Sequence, residues 1–218
     1  HGIVNDGGTD MLVINGDGTE DGFTMYTVAA WAGQAPVDPL SEIIITRTVA
    51  GVETPIMEVR GIEEVTINGV QGVGTINAVG DFAGTSLAPN TIYVNGTAGN
   101  EVIDFSGFTS TQRIVVNAGD GRDIITGGAG NDILNAGAGR DEITWSVGGG
   151  SDVVDGGAGD DTYTINGDAS DETFRVYAAD SWTGAPLATG TDIVITREAD
   201  AGYHCSPCFC YWPKAMQA

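Results

Sequence analysis

Five aspartates, Asp123, Asp132, Asp141, Asp152 and Asp161, recur along residues 118–164 at steps of nine, nine, eleven and nine. Each closes a six-residue run rich in glycine: AGDGRD (118–123), GGAGND (127–132), AGAGRD (136–141), VGGGSD (147–152) and GGAGDD (156–161). Backbone with so little side-chain bulk exposes its carbonyl oxygens, and the aspartate adds negative charge beside them. This is chemistry for a hard cation: calcium takes roughly six to eight oxygen ligands at about 2.3–2.6 Å. One run offers too few oxygens, so two must be stacked to close a cage around an ion.

The residues between the runs show what does the stacking. After each aspartate come three residues with an apolar one in the middle: Ile125, Leu134, Ile143, Val154 and Tyr163. Glycine permits the left-handed, tightly curved backbone of a short turn, and the three-residue ending predicts a very short strand with one side chain pointing inward. Each unit is half a coil, and Trp145 and Ser146 are the insertion that lengthens one step. A single unit cannot bury its apolar residue, so neighbours must share a core, which predicts a solenoid. Gly-Asp pairs also serve as plain turn formers. That reading does not explain five aspartates in phase with five apolar positions.

The glycine-rich, aspartate-bearing nonapeptide resembles the repeat of the RTX, or haemolysin-type calcium-binding, family. The resemblance implies an all-β fold, a parallel β-roll or β-solenoid with Ca2+ between stacked glycine-rich turns. It further implies that alternate repeats stack, pairing Asp123 with Asp141, Asp141 with Asp161, and Asp132 with Asp152. The carbonyl ligands would then come from loop positions such as Gly119, Gly121, Gly128, Gly130, Gly137 and Gly139.

The composition bounds the partners. The 218 residues include 34 glycines, 8 Lys plus Arg and 30 Asp plus Glu, for a formal charge of -22. Self-repulsion of that size opposes compaction, so counter-charge should accompany folding. Nucleic acid is an unfavourable partner. Acidity alone would also suit solubility or disorder, but 41% hydrophobic residues in β-type runs argue for a folded chain. No apolar run is long enough for a membrane-spanning helix. His1 stands where an initiator methionine would, and no signal segment precedes it, so a processed or excised piece of a longer protein is expected.

Taken in order, residues 5–13 (NDGGTDMLV) form a degenerate copy of the nonapeptide, with Asp10 in the aspartate position and Leu12 in the apolar one. Residues 14–36 then correspond to residues 165–186, and SEIIITR (41–47) corresponds to TDIVITR (191–197), at offsets of 151 and 150. A unit of about that length is therefore repeated, which suggests a parent with many tandem copies. Between Val49 and Ile114 the nonapeptide continues in worn form, with Gly74 and Glu101 where aspartate belongs. Asn-Gly at 15-16, 68-69, 95-96 and 166-167 each follows an apolar run, where a strand hands over to a turn. No amphipathic helix is evident. The organisation expected is residues 1–47 as the end of a preceding repeat unit, 48–117 as degenerate coils, 118–164 as the calcium-binding roll, 165–200 as the counterpart of 14–47, and 201–218 as a tail.

Trp31 and Trp182 hold equivalent places in the long repeat, and either pack against a coil or offer a platform for carbohydrate. The tail gathers His204, Cys205, Cys208 and Cys210. That spacing could offer soft ligands to zinc or a redox dithiol, but a structural zinc site usually draws on a second cluster, and none exists. An interaction tail, or a disulfide partner for another chain, fits it better.

Enzymatic motifs are missing: there is no G-x-S-x-G and no H-E-x-x-H, and the histidines, His1 and His204, lie near the two ends. The expected role is non-catalytic: a calcium-binding structural or adhesive module of a secreted or cell-surface bacterial protein, able to join other copies end to end into fibres or a surface layer. The alternative is an accessory module of an exported protease, lipase or polysaccharide-modifying enzyme, as RTX segments are in some secreted enzymes.

Overall fold

The computed structural model describes residues 8–16, 21–32, 38–69, 74–87, 90–168, 172–178 and 193–199. Within them the half-coils fall alternately into two facing sheets. One runs β1 (Met11–Asn15), β5 (Glu64–Asn68), β7 (Ile92–Asn95), β9 (Ile114–Gly121), β11 (Ile133–Gly139) and β13 (Val153–Asp155), with β14 (Ala158–Gly159) beside β11. The other holds β2 (Asp21–Thr27), β6 (Thr75–Val79), β8 (Val102–Asp104), β10 (Ile124–Thr126), β12 (Glu142–Ser146) and β15 (Thr162–Asn166). These neighbours pair in parallel, because each strand repeats the path of the one a full coil earlier. The fold is a parallel β-roll.

Alternation along each short strand sends one side chain inward per half-coil. Val65, Val94, Val116 and Leu134 from one sheet meet Ile76, Ile103, Ile125 and Ile143 from the other in a single continuous core. Burying each such side chain contributes about 1.5–3 kcal/mol. Registry along the first sheet is held by a row of asparagines. The Nδ2 of Asn68, Asn95, Asn117 and Asn135 each donates to the Oδ1 of the asparagine one coil earlier, at 2.9–3.1 Å, beginning from Asn15. The Asn-Gly steps at 15, 68 and 95 are thus a ladder as well as turn signals.

Two features depart from the expected organisation. Residues 48–117 do not begin as coils: β3 (Ile43–Val49) and β4 (Val52–Val59) form an antiparallel hairpin that extends the second sheet beyond β2. Val49 pairs with Val52 across a two-residue turn in which both Ala50 and Gly51 have positive φ, 50° and 78°. A turn of that kind normally announces itself with Asn-Gly or Asp-Gly, and alanine there hides it. The long repeat also lands on the opposite sheet. β15 is the counterpart of β1 at the 151-residue offset, yet β1 lies in the first sheet and β15 in the second. β16 (Glu172–Ala178) and β17 (Ile193–Ala199) pair antiparallel in the same relative register as β2 and β3, as a separate two-stranded sheet.

The turns pack so closely that a side chain is excluded from them. At Gly137, with φ of 107°, an added Cβ would lie 1.9 Å from the Gly119 carbonyl oxygen. Gly137→Ala is expected to cost about 2–4 kcal/mol, from the strained φ together with forced overpacking. At Gly84 nothing lies within 4 Å, and Gly84→Ala should stay within about 0.5 kcal/mol of the parent. Denaturant titration of the two variants checks this, and equal stabilities would contradict the packing argument.

Candidate metal centre

The turns form two stacks, one on each side of the roll. On the first side, loop 118–123 sits over loop 96–101 and under loop 136–141. An added Cβ at Gly121 would meet the Gly99 carbonyl, and one at Gly139 would meet the Gly121 carbonyl. Loop 156–161 follows, through the pairing of Ala138 with Ala158 and of Gly139 with Gly159. On the second side, loop 147–152 lies over loop 127–132, with Gly150 against the Gly130 carbonyl.

The carboxylates form a ladder between levels. The backbone N–H of Glu101 donates to Asp123 Oδ1 at 2.8 Å, that of Asp123 to Asp141 Oδ1 at 2.8 Å, and that of Asp141 to Asp161 Oδ1 at 3.0 Å. Across the roll, the N–H of Ile114 donates to Asp132 Oδ1 at 2.8 Å, and that of Asp132 to Asp152 Oδ1 at 3.0 Å. The stacking order implied by the resemblance is therefore the one the chain adopts. Asp10 lies apart from these aspartates, at the start of the roll. Its N–H donates to Glu63 Oε2 at 2.8 Å, a worn rung of the same kind.

One oxygen of each carboxylate is thus engaged, Asp132 Oδ2 also accepts from the Gly128 N–H at 2.9 Å, and the remaining oxygens decide what the site can hold. Asp123 and Asp141 are fully buried, and the Oδ2 atom of each has no hydrogen-bond partner. A buried, unpartnered carboxylate oxygen costs several kcal/mol unless a cation meets it. Among the described residues no three His, Cys, Asp or Glu side chains gather as a metal cluster. Side chains alone cannot complete a shell here. The ligands that remain are the carbonyl rows of the glycine turns, oxygen donors suited to calcium and ill suited to a soft metal.

Residues 115–143 and 146–169 match the model of the RTX calcium-binding nonapeptide repeat, in four copies. This stretch is an RTX array. RTX nonapeptide repeats bind Ca2+, and the fit of the orphaned oxygens and carbonyl rows to a hard cation agrees with that. No curated protein and no solved structure matches the chain.

Electrostatics in the RTX array show the need for counter-charge. Burial raises the Asp123 carboxyl to about 7, helped by the charges of Glu101 and Asp141. Burial likewise raises Asp152 to about 7, with the Asp132 charge adding to it. Burial also raises Asp132, against hydrogen bonds from Ile114 and Gly128 and the Arg113 charge, all of which lower it. A carboxyl near 4 in the unfolded chain and near 7 in the fold binds more protons when folded throughout that interval. The contribution of Asp123 and Asp152 to the stability of the calcium-free chain should therefore be fully present below about pH 4 and lost as pH rises through 7. Melting in chelator at pH 5 and 7.5 checks this: the acidic sample should melt higher, and Asp123→Asn should shrink the difference. In excess calcium the trend should reverse, because calcium needs the ionised ligand. A melting temperature in chelator that rises with pH would contradict the assignment.

Three residues of the ladder carried no periodic signal. One coil before Asp132 the aspartate position is held by Ile114, and Arg113, beside it in the place of Asn131, donates from Nε to the Asn131 carbonyl at 3.0 Å. A built-in cation stands there, where the acidic series on that side begins. Asn100 and Asn131, each one place before its loop's closing residue, accept from the N–H of Arg122 and Ser151 in the next level. Glu101, read from sequence as a worn aspartate, is fully buried and bound within its own loop by the Thr97 hydroxyl at 2.7 Å. Trp31 packs its ring 5.1 Å from that of Tyr26. Trp182, His204, Cys205, Cys208 and Cys210 lie outside the described residues.

Proposed function

We propose that the chain is a calcium-folded structural module of a protein that works outside a bacterial cell. The observation that carries this reading is the pair of buried, unpartnered oxygens, Asp123 Oδ2 and Asp141 Oδ2, set among stacked glycine carbonyls in an RTX array. The residues assigned to the ions are Asp123, Asp141 and Asp161 on one side and Asp132 and Asp152 on the other. Carbonyls of the turns would complete each shell, including those of Gly119, Gly121, Gly137 and Gly139 on the first side and Gly128 and Gly130 on the second. Extracellular modules bind calcium at roughly 10⁻⁴–10⁻³ M, so such a chain would stay loose in a calcium-poor interior and stiffen outside.

The long repeat favours a load-bearing or adhesive role that extends by adding units, because the hairpin that opens one unit is present again after the RTX array. Accessory service to an exported enzyme remains the second reading, supported by the array alone. Carbohydrate binding at Trp31 is less favoured, since its ring is engaged with Tyr26. Single-molecule extension tests the load-bearing reading. The force needed to unfold the chain should fall when about 1 mM calcium is replaced by chelator, and an unchanged force would overturn it.

A further inference from the structure

The two copies of the long repeat fold alike and are buried differently. In the first, Phe23, Met25 and Ile45 face the core at 5%, 0% and 1% exposure. Their counterparts Phe174, Val176 and Ile195 are 39%, 66% and 44% exposed. The sequence has kept these positions apolar, and the hairpin register is the same: Met25 pairs with Ile45, and Val176 with Ile195.

What covers the first hairpin is visible. β6 lies parallel along the edge of β2, with Phe23 against Ile76 and Met25 against Ala78. The coil that carries it brings Ile62, Val65 and Ile67 into the same core. Among the described residues β16 pairs with β17 alone, and no strand lies on its other edge.

We infer that the apolar face and open edge of β16–β17 seat a further β-solenoid coil of the kind that carries β5 and β6, supplied by another solenoid unit and added parallel to β16. The seat asks for an extended segment with β-branched and small residues alternating inward, as Ile76 and Ala78 do in β6, so that Phe174 faces an isoleucine and Val176 an alanine. Main-chain hydrogen bonds along β16 would supply the attachment and the apolar alternation its register. This goes beyond calcium binding: the hairpin carries none of the assigned ligands.

The experiment titrates the full chain, in calcium, into a fluorescein-labelled synthetic peptide of residues 60–81 and follows anisotropy. The native β6 already fills the equivalent seat on β2, so the second hairpin is the one available. A saturable rise is expected, weakened at least tenfold by Val176→Asp in the chain. Circular dichroism should be unchanged in that variant, since the substituted side chain is exposed. A peptide carrying Ile76→Asp and Ala78→Asp, which leaves the chain untouched, should fail to bind. No saturable binding, or equal binding by the Val176→Asp chain, would overturn the proposal. So would self-association of the chain that Val176→Asp abolishes and excess peptide does not compete, because the face would then serve a second hairpin instead.

Discussion

Placed in chelator, the chain is expected to lose its resistance to proteolysis across residues 118–164 and to regain it on return to millimolar calcium. The expectation follows from where charge lies. Asp123, Asp132 and Asp141 are buried, each touching the next level of its stack, and the Oδ2 of Asp123 and of Asp141 meets no donor. Without a cation these levels repel one another at low dielectric, where each uncompensated charge costs several kcal/mol. At millimolar calcium and a dissociation constant of about 10⁻⁴ M, each occupied site contributes about 1.4 kcal/mol by mass action. Several such contributions are comparable with the stability of a marginal domain. Cleavage sites mapped by mass spectrometry should cluster in the RTX array in chelator and be protected in calcium. Identical maps in the two conditions would contradict the account.

The second large effect concerns Asp141. It lies between two levels: its Oδ1 accepts from the Asp123 N–H, its own N–H donates to Asp161 Oδ1, and its Oδ2 has no hydrogen-bond partner. Asp161 ends the ladder on that side among the described residues, and it is less buried than Asp141. Asp141→Ala should therefore disturb two ion positions and Asp161→Ala one. The first variant is expected to lose about twice as much bound calcium as the second. It should also lose more stability, since it orphans the buried Asp123 N–H at about 1–3 kcal/mol. Calcium content per chain by atomic emission, with melting temperatures alongside, checks both parts. Equal losses would show that alternate turns do not share ligands through Asp141.

The repeat made the centre of the fold readable because period and phase are local properties. Asp123 and Ile125 lie two residues apart in sequence, and that spacing already assigns one to the turn and the other to the core. Pairings between levels were legible only through the family resemblance, since nothing in one nonapeptide says whether its neighbour in space is the next repeat or the one after. The hairpin of β3 and β4 was missed for a physical reason: Ala50 takes a positive φ that alanine rarely adopts, so the turn carried no residue that advertises it. Arg113 was missed because its coil is irregular in length: only once β9 is set beside β11 does Ile114 fall in the aspartate column, with Arg113 next to it in the column of Asn131. The long repeat showed that two segments were equivalent. It could not show that one would lie with its apolar face covered and the other with it open, because covering depends on the coil that comes after.

Calorimetric titration of the chelator-stripped chain with calcium chloride, with far-ultraviolet circular dichroism followed on the same samples, bears most directly on whether calcium winds the turns. The account predicts a saturating heat, more than one ion bound per chain, and a gain of β signal that saturates with the heat. A titration that releases no heat while the spectrum stays flat would contradict it.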